Sequence, residues 1–330
     1  MNTYTEDSPA IGQADGGAAY TGHSAGGHMA DDAANAVMGA RPGITAFHDE
    51  ATGSLTYLVS DPQTRRAAVI DPVLDYDHRS GKLTTSSADQ VLETARRHGL
   101  EIVLLLETHA HADHLSAAHY LQRRTGARLA IGAHIRDVQH IFRKVFNLDD
   151  VSGEGREFDR LLADGDSLEL GELRIEVIYT PGHTPACVAY RIGDAVFVGD
   201  TMFMPDYGTA RADFPGGDAR TLYRSIRKLL ALPPQTRLFM CHDYKAPGRD
   251  HYAWETTVAE QRAGNVHVHD GVSEDDFVAM RTTRDSSLAA PVLLLPSIQV
   301  NIRAGRLPAP ELNGTRYLKI PLRLSGDMDE

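Results

Sequence analysis

The sequence predicts a mixed α/β protein in which β-sheets stack as a sandwich covered by helices on both faces. Three observations lead there. Short apolar runs with strand character alternate with amphipathic stretches of helical period. These runs fall into two groups, one before and one after a polar stretch at residues 149–160. Several of the runs end on a histidine or an aspartate, as strands do when they feed loops at one edge of a sheet.

Residues 1–42 are rich in Gly, Ala, Ser and Asp without periodicity and read as a flexible tail. His23 and His28 fall in this tail and read as solvated polar residues. Folded sequence is expected over residues 43–305, followed by a Pro-punctuated tail, 306–330. Residues 56–60 and 67–71 read as strands joined by the turn Asp61-Pro62-Gln63-Thr64. A helix is expected over 87–98, with Val91, Leu92 and Ala95 on one face and Gly99 as its stop. Residues 102–106 form a buried strand, 113–125 a helix and 128–132 a strand. Beyond the polar stretch, strands are expected at 168–170, 174–179, 187–192, 195–199 and 237–241. Leu222, Ile226, Leu229 and Leu230 mark an amphipathic helix over 218–230, and two further helices are expected at 254–262 and 273–281.

Composition narrows the functional classes. Of 330 residues, 42% are hydrophobic and 24% charged, the balance of a soluble globular protein. A formal net charge of −12 argues against a nucleic-acid partner, which needs a basic surface. No apolar run is long enough to span a membrane, and the N-terminus lacks a basic, apolar leader, so a cytoplasmic location is expected. Cys187 and Cys241 cannot build a disulfide framework and are expected to pack as small hydrophobes.

Chemistry concentrates at residues 107–114, Glu-Thr-His-Ala-His-Ala-Asp-His, directly after the strand at 102–106. His109 and His111 project to one side of an extended chain, and Asp113 and His114 follow where the next helix is expected to begin. One histidine at a strand end is ordinarily structural. Three with an aspartate suit a transition metal such as zinc or iron, whereas calcium and magnesium take oxygen shells. Further downstream, His183 sits in Thr180-Pro-Gly-His-Thr-Pro185, Asp200 ends Ala195-Val-Phe-Val-Gly-Asp200, and His242 follows Leu238-Phe-Met-Cys241. Four strand ends carrying such groups point to one convergent metal site.

With this set in place, the chain resembles the metallo-β-lactamase superfamily, whose His-x-His-x-Asp-His motif is followed by a His, a bridging Asp and a last His. The resemblance implies an αββα fold with the metal at one edge of the sandwich. Gly208-Thr-Ala-Arg-Ala-Asp-Phe214, Cys241-His-Asp-Tyr244 and Pro296-Ser-Ile-Gln-Val-Asn-Ile-Arg-Ala-Gly305 resemble the persulfide dioxygenase family in particular. That family implies one Fe(II) per chain held by His109, His183 and Asp200. His111, Asp113, His114 and His242 then orient those ligands and pass protons, and Arg211 and Tyr244 bind the substrate. The implied reaction takes glutathione persulfide and O2 to glutathione and sulfite, and family analogy suggests a homodimer. The alternative is a dinuclear zinc hydrolase of the glyoxalase II type, in which the same residues would hold a second metal.

Overall fold

The computed structural model of the protein describes residues 41–322, all within one compact unit. His23, His28 and the expected N-terminal tail lie outside the described residues. The first half supplies β1 (Gly43–Asp49), β2 (Ser54–Ser60), β3 (Arg66–Ile70), β4 (Val73–Asp77), β5 (Lys82–Thr84), α1 (Ser86–Arg97), β6 (Glu101–Glu107), β7 (Leu115–Ser116), α2 (Ala118–Thr125), β8 (Arg128–Gly132), α3 (Ile135–Val145) and β9 (Arg160–Leu162). The second half supplies β10 (Ser167–Leu170), β11 (Leu173–Tyr179), β12 (Val188–Ile192), β13 (Ala195–Phe197), α4 (Ala219–Leu230), β14 (Arg237–Phe239), β15 (Glu255–Thr257), α5 (Val258–Gly264), α6 (Glu274–Asp285) and α7 (Leu294–Asn301).

Two six-stranded mixed sheets result, ordered β1-β2-β3-β6-β8-β9 and β10-β11-β12-β13-β14-β15, with a small sheet β5-β4-β7 beside them. Alternation along the strands assigns the layers. Leu55, Tyr57 and Val59 of β2 and Leu104 and Leu106 of β6 face Val188, Tyr190 and Ile192 of β12 in the core between the sheets. Leu58 and Leu105 point the other way, against Val91 of α1, Leu121 of α2, Phe142 of α3 and Ile298 of α7. On the far side Ala189 and Val196 meet Leu222, Ile226 and Leu229 of α4, Val258 of α5 and Phe277 of α6. The layers are αββα, as expected.

Several boundaries differ from expectation. The helix expected from Asp113 begins at Ala118, because Leu115 and Ser116 pair with Leu74 and Val73 first and leave 108–114 as an irregular loop. The helix expected at 254–262 splits. Glu255–Thr257 joins the sheet against β14, and α5 then starts from a capping box between Thr257 and Glu260. Helices α3 and α7 are additional to the expected elements. The expected C-terminal tail, described to residue 322, has no helix or strand, but Gln299 exchanges two hydrogen bonds with the Lys319 backbone at 2.8 and 2.9 Å. Among the described residues, no helix is long and apolar enough to cross a membrane.

This architecture positions the site. Strands β3, β6, β8 and β9 run parallel, as do β13 and β14, so several loops leave their C-terminal ends at a common edge.

Candidate metal centre

The loop after β11 shows how backbone places a ligand. Gly182 has φ +134°, and a Cβ there would lie 2.3 Å from both Cα and N of Leu222 in α4. The chain can pass this close to the helix only without a side chain. Asp218 caps α4 by accepting from the Thr221 N–H at 2.7 Å, and its own N–H donates to the Gly182 carbonyl at 2.9 Å. Gly182→Ala should therefore displace His183 and destabilise the fold by about 3 kcal/mol. Metal content and the urea midpoint measure this, and a variant matching wild type in both would contradict it.

His183 donates from Nδ1 to the Arg211 carbonyl at 2.8 Å, which fixes the tautomer and leaves Nε2 to act as a ligand. Its Nε2 lies 3.6 Å from Oδ2 of Asp200, and Nε2 of His109 lies 3.9 Å from the same oxygen. One ligand atom from each of His109, His183 and Asp200 falls within 4.8 Å of the other two. Burial, then the neighbouring His111 and His183, hold His109 well below the ordinary histidine range and so keep it neutral, as a ligand must be.

Beside this group lies a second. His242 Nε2 is 3.2 Å from Oδ1 of Asp200 and 3.4 Å from Asp113, and the Ser54 hydroxyl donates to Asp113 at 3.0 Å. His114 Nδ1 is 3.2 Å from that same hydroxyl, so its Nε2 is the free end. Tyr244 stacks on His242 with ring centroids 5.4 Å apart. His111 faces inward through Nε2, 3.0 Å from Asp71 and 3.4 Å from Glu107. Burial would lower its pKa, but Asp71 and Glu107 override that and raise it well above the ordinary value.

Whether these residues fit a metal can be judged from their unmet bonds. His109 Nε2, His111 Nδ1, His114 Nε2, His242 Nε2 and Asp200 Oδ1 are all buried and lack a hydrogen-bond partner. Each such atom left unsatisfied costs about 1–3 kcal/mol, and these atoms fall in adjoining groups of potential ligands where a bound cation would satisfy them. The donor set of imidazole and carboxylate fits zinc or iron.

The expected site residues thus come together, with one reassignment. Arg211 lines the cleft, but its guanidinium is already paired bidentately with Asp213 at 2.5 and 2.7 Å and donates to the Ala289 carbonyl at 2.7 Å. It holds a loop in place and does not present a free face to a substrate carboxylate. Both cysteines are buried, as expected, and Cys241 lies beside His111 and His242. Burial pushes the Cys187 thiol up to about 12 and raises that of Cys241 well above its ordinary value.

Four supporting residues lay beyond the sequence reasoning. Asp71, at φ +51°, accepts from the Thr108 N–H at 2.7 Å and the Thr108 hydroxyl at 2.8 Å, besides facing His111. Its signal was an aspartate ending a strand just before Pro72. Arg281, buried and paired with Asp285 at 2.5 Å, donates to the Thr209 carbonyl, while Asp285 accepts from the Ala212 N–H. These clamps hold the loop whose Arg211 carbonyl orients His183. Asn301 of α7 holds the histidine-rich loop itself, with its amide donating to the carbonyls of His111 and His114.

His267 supports the same loop in a pH-dependent way. Its Nδ1 accepts from the Thr209 N–H at 3.0 Å, which requires the neutral ring. Burial, then Arg281 and Arg284, lower its pKa from 6.5 to about 4. The unfolded chain therefore takes up a proton near pH 6.5 that the folded chain refuses until about pH 4. Its contribution to stability is full above 6.5 and is lost as pH falls between those values. With solvent on its open side, the total is about 2 kcal/mol. In His267→Gln the acid limb of the urea midpoint, followed from pH 7 to 4, should flatten by that amount. An unchanged limb would rule the assignment out.

With the geometry established, comparison with known proteins identifies the family. The metallo-beta-lactamase superfamily profile matches residues 50–242. The chain belongs to that superfamily. It is 56% identical over 290 residues to a probable metallo-hydrolase of Burkholderia pseudomallei, covering 84% of this chain and 98% of the relative. It is 49% identical to glyoxylase B2 of Dictyostelium discoideum, with 83% and 94% covered. It is 28% identical to the mouse mitochondrial persulfide dioxygenase ETHE1, with 76% and 84% covered. The crystal structure of ETHE1 from Myxococcus xanthus superposes with a TM-score of 0.64 at 29% identity, covering 80% of this chain and 99% of that one.

Proposed function

We propose that the protein is a persulfide dioxygenase that uses one Fe(II) held by His109, His183 and Asp200. The observation carrying this reading is that these three side chains form a compact group of two imidazoles and one carboxylate, each offering one ligand atom. The solved ETHE1 structure, matched over nearly its whole length, supports the same reading. Bound there, iron would supply the redox chemistry of oxygen activation, held by two imidazoles and one carboxylate. Glutathione persulfide, O2 and water give glutathione, sulfite and two protons, the outer sulfur being oxidised as dioxygen is reduced.

The chain's own residues bind and orient. Thr108 and the Arg211 carbonyl set the ring planes of His109 and His183 through their Nδ1 atoms. His242 and Tyr244 form a stacked wall beside Asp200, and Phe203 packs edge-on against both rings, drying that side. Burial alone would raise the pKa of Asp113, but His242, His114 and His111 together outweigh it and hold the carboxylate well below the usual range, so it stays ionised beside the cleft.

A second reading has its own observation. The free nitrogens of His114 and His242, with Asp113 and the shared Asp200, would complete a dinuclear zinc centre that hydrolyses glutathione thioesters. The more similar relatives carry hydrolase-type names, which weigh on this side. Protein purified without oxygen should contain one iron per chain and consume O2 with glutathione persulfide. Two zincs per chain, with hydrolysis of lactoylglutathione and no O2 uptake, would establish the hydrolase instead.

A further inference from the structure

Three guanidinium groups line the cavity that opens directly onto the candidate ligands, a space of about 180 Å³ bounded by His183, Asp200 and Tyr244. Two of them are spent. Arg211 is neutralised by Asp213, and Arg281 is buried against Asp285. The third, Arg284 in the last turn of α6, is exposed, and among the described residues its side chain has no hydrogen-bond or ion-pair partner. A larger arm of the cleft, about 910 Å³, continues on the other side of Tyr244. There Arg79 and Lys82 share the wall with Asp49, Asp75 and Asp77, so its charges are mixed. Both spaces reach Asp113, but the smaller one, lined by His183 and Asp200, is the one that offers an uncompensated cation.

We propose that Arg284 is the residue that binds a carboxylate of the thiol substrate, a specificity contact replacing the one expected of Arg211. The inference rests on the reading that the substrate is a glutathione derivative, which both reactions above share. Guanidinium suits the role because its planar fork matches a carboxylate bidentately, and the loss of one such charged bond weakens binding by about tenfold to a hundredfold. The position on a helix, next to the buried Arg281–Asp285 pair, gives the side chain a firm base.

The test uses S-methylglutathione, whose capped sulfur cannot react, titrated calorimetrically into the metal-loaded protein. Arg284→Ala should weaken binding by about tenfold or more, and Arg284→Lys by less, since it keeps the charge but not the fork. The diethyl ester of S-methylglutathione, with both carboxylates capped, should bind wild type and Arg284→Ala alike. Thermal melts confirm that each variant is folded. Equal binding of S-methylglutathione by folded wild type and Arg284→Ala would overturn the role of Arg284 and leave the glutathione reading standing. Failure of the wild type to bind S-methylglutathione at all would overturn both.

Discussion

Asp200→Ala should yield a folded protein that loses nearly all its metal and, with it, turnover. The carboxylate is the hub of the centre: Oδ2 faces Nε2 of both His109 and His183, and Oδ1 faces Nε2 of His242 at 3.2 Å. Without it, the neutral imidazoles of His109 and His183 would have to hold a divalent ion with no carboxylate between them to offset its charge. Groups that merely bond to a metal ligand cost about 10–100-fold in affinity or activity when removed, so a ligand central to the set should cost more. Metal analysis by mass spectrometry and O2 uptake measure both losses. Retained metal with retained activity would show that the centre lies elsewhere. Because either reaction needs Asp200, a companion variant separates them. Asp113→Ala should leave one iron per chain under the dioxygenase reading, and should lower two zincs to about one under the hydrolase reading.

The candidate site was legible because each of its members follows an apolar strand, and strand ends are where a sandwich gathers its loops. His109, His183, Asp200 and His242 come from four strands of two sheets, yet each carried its own local mark. The fold was legible for a related reason: period-two alternation in β2, β6 and β12 separates the inner core from the two outer ones. What stayed hidden depends on long-range partners. The start of α2 slipped by five residues because Leu115 and Ser116 are claimed by β4, more than forty residues upstream. Arg211 looked available because nothing local shows that Asp213 and the carbonyl of Ala289, 78 residues away, engage its guanidinium. Arg281, Asp285 and Asn301 act from helices in the C-terminal part, where polar residues read as ordinary surface. Their partners are backbone groups of distant loops, and backbone groups leave no trace in a residue pattern.

Asn301→Ala should lower the melting temperature by roughly 8 °C and weaken metal retention, although Asn301 touches no ligand atom. Its buried amide donates to the carbonyls of His111 and His114, both at 2.8 Å, and its Oδ1 accepts from the Ser116 N–H at 2.8 Å. One side chain therefore ties the middle and the C-terminal end of the histidine-rich loop, which has no helix or sheet of its own to do so. Alanine would leave two carbonyls and one N–H buried without partners. At about 1–3 kcal/mol each, partly relieved by entering water, the loss is about 3 kcal/mol. The metal effect follows from the same bonds, since the loop that Asn301 ties carries His109, Asp113 and His114. Differential scanning fluorimetry, with and without added metal, reads both quantities. If the loop is the weak point, added metal should raise the melting temperature less in the variant than in wild type, because part of the binding energy then goes into ordering the loop. A variant that melts with wild type and holds metal equally well would mean that the loop is held by its ligands alone. Asn301→Asp is the sharper probe, because it keeps the Ser116 acceptor but turns a donor toward two carbonyls into a buried negative charge. It should be worse than alanine, which a merely space-filling role for Asn301 would not predict.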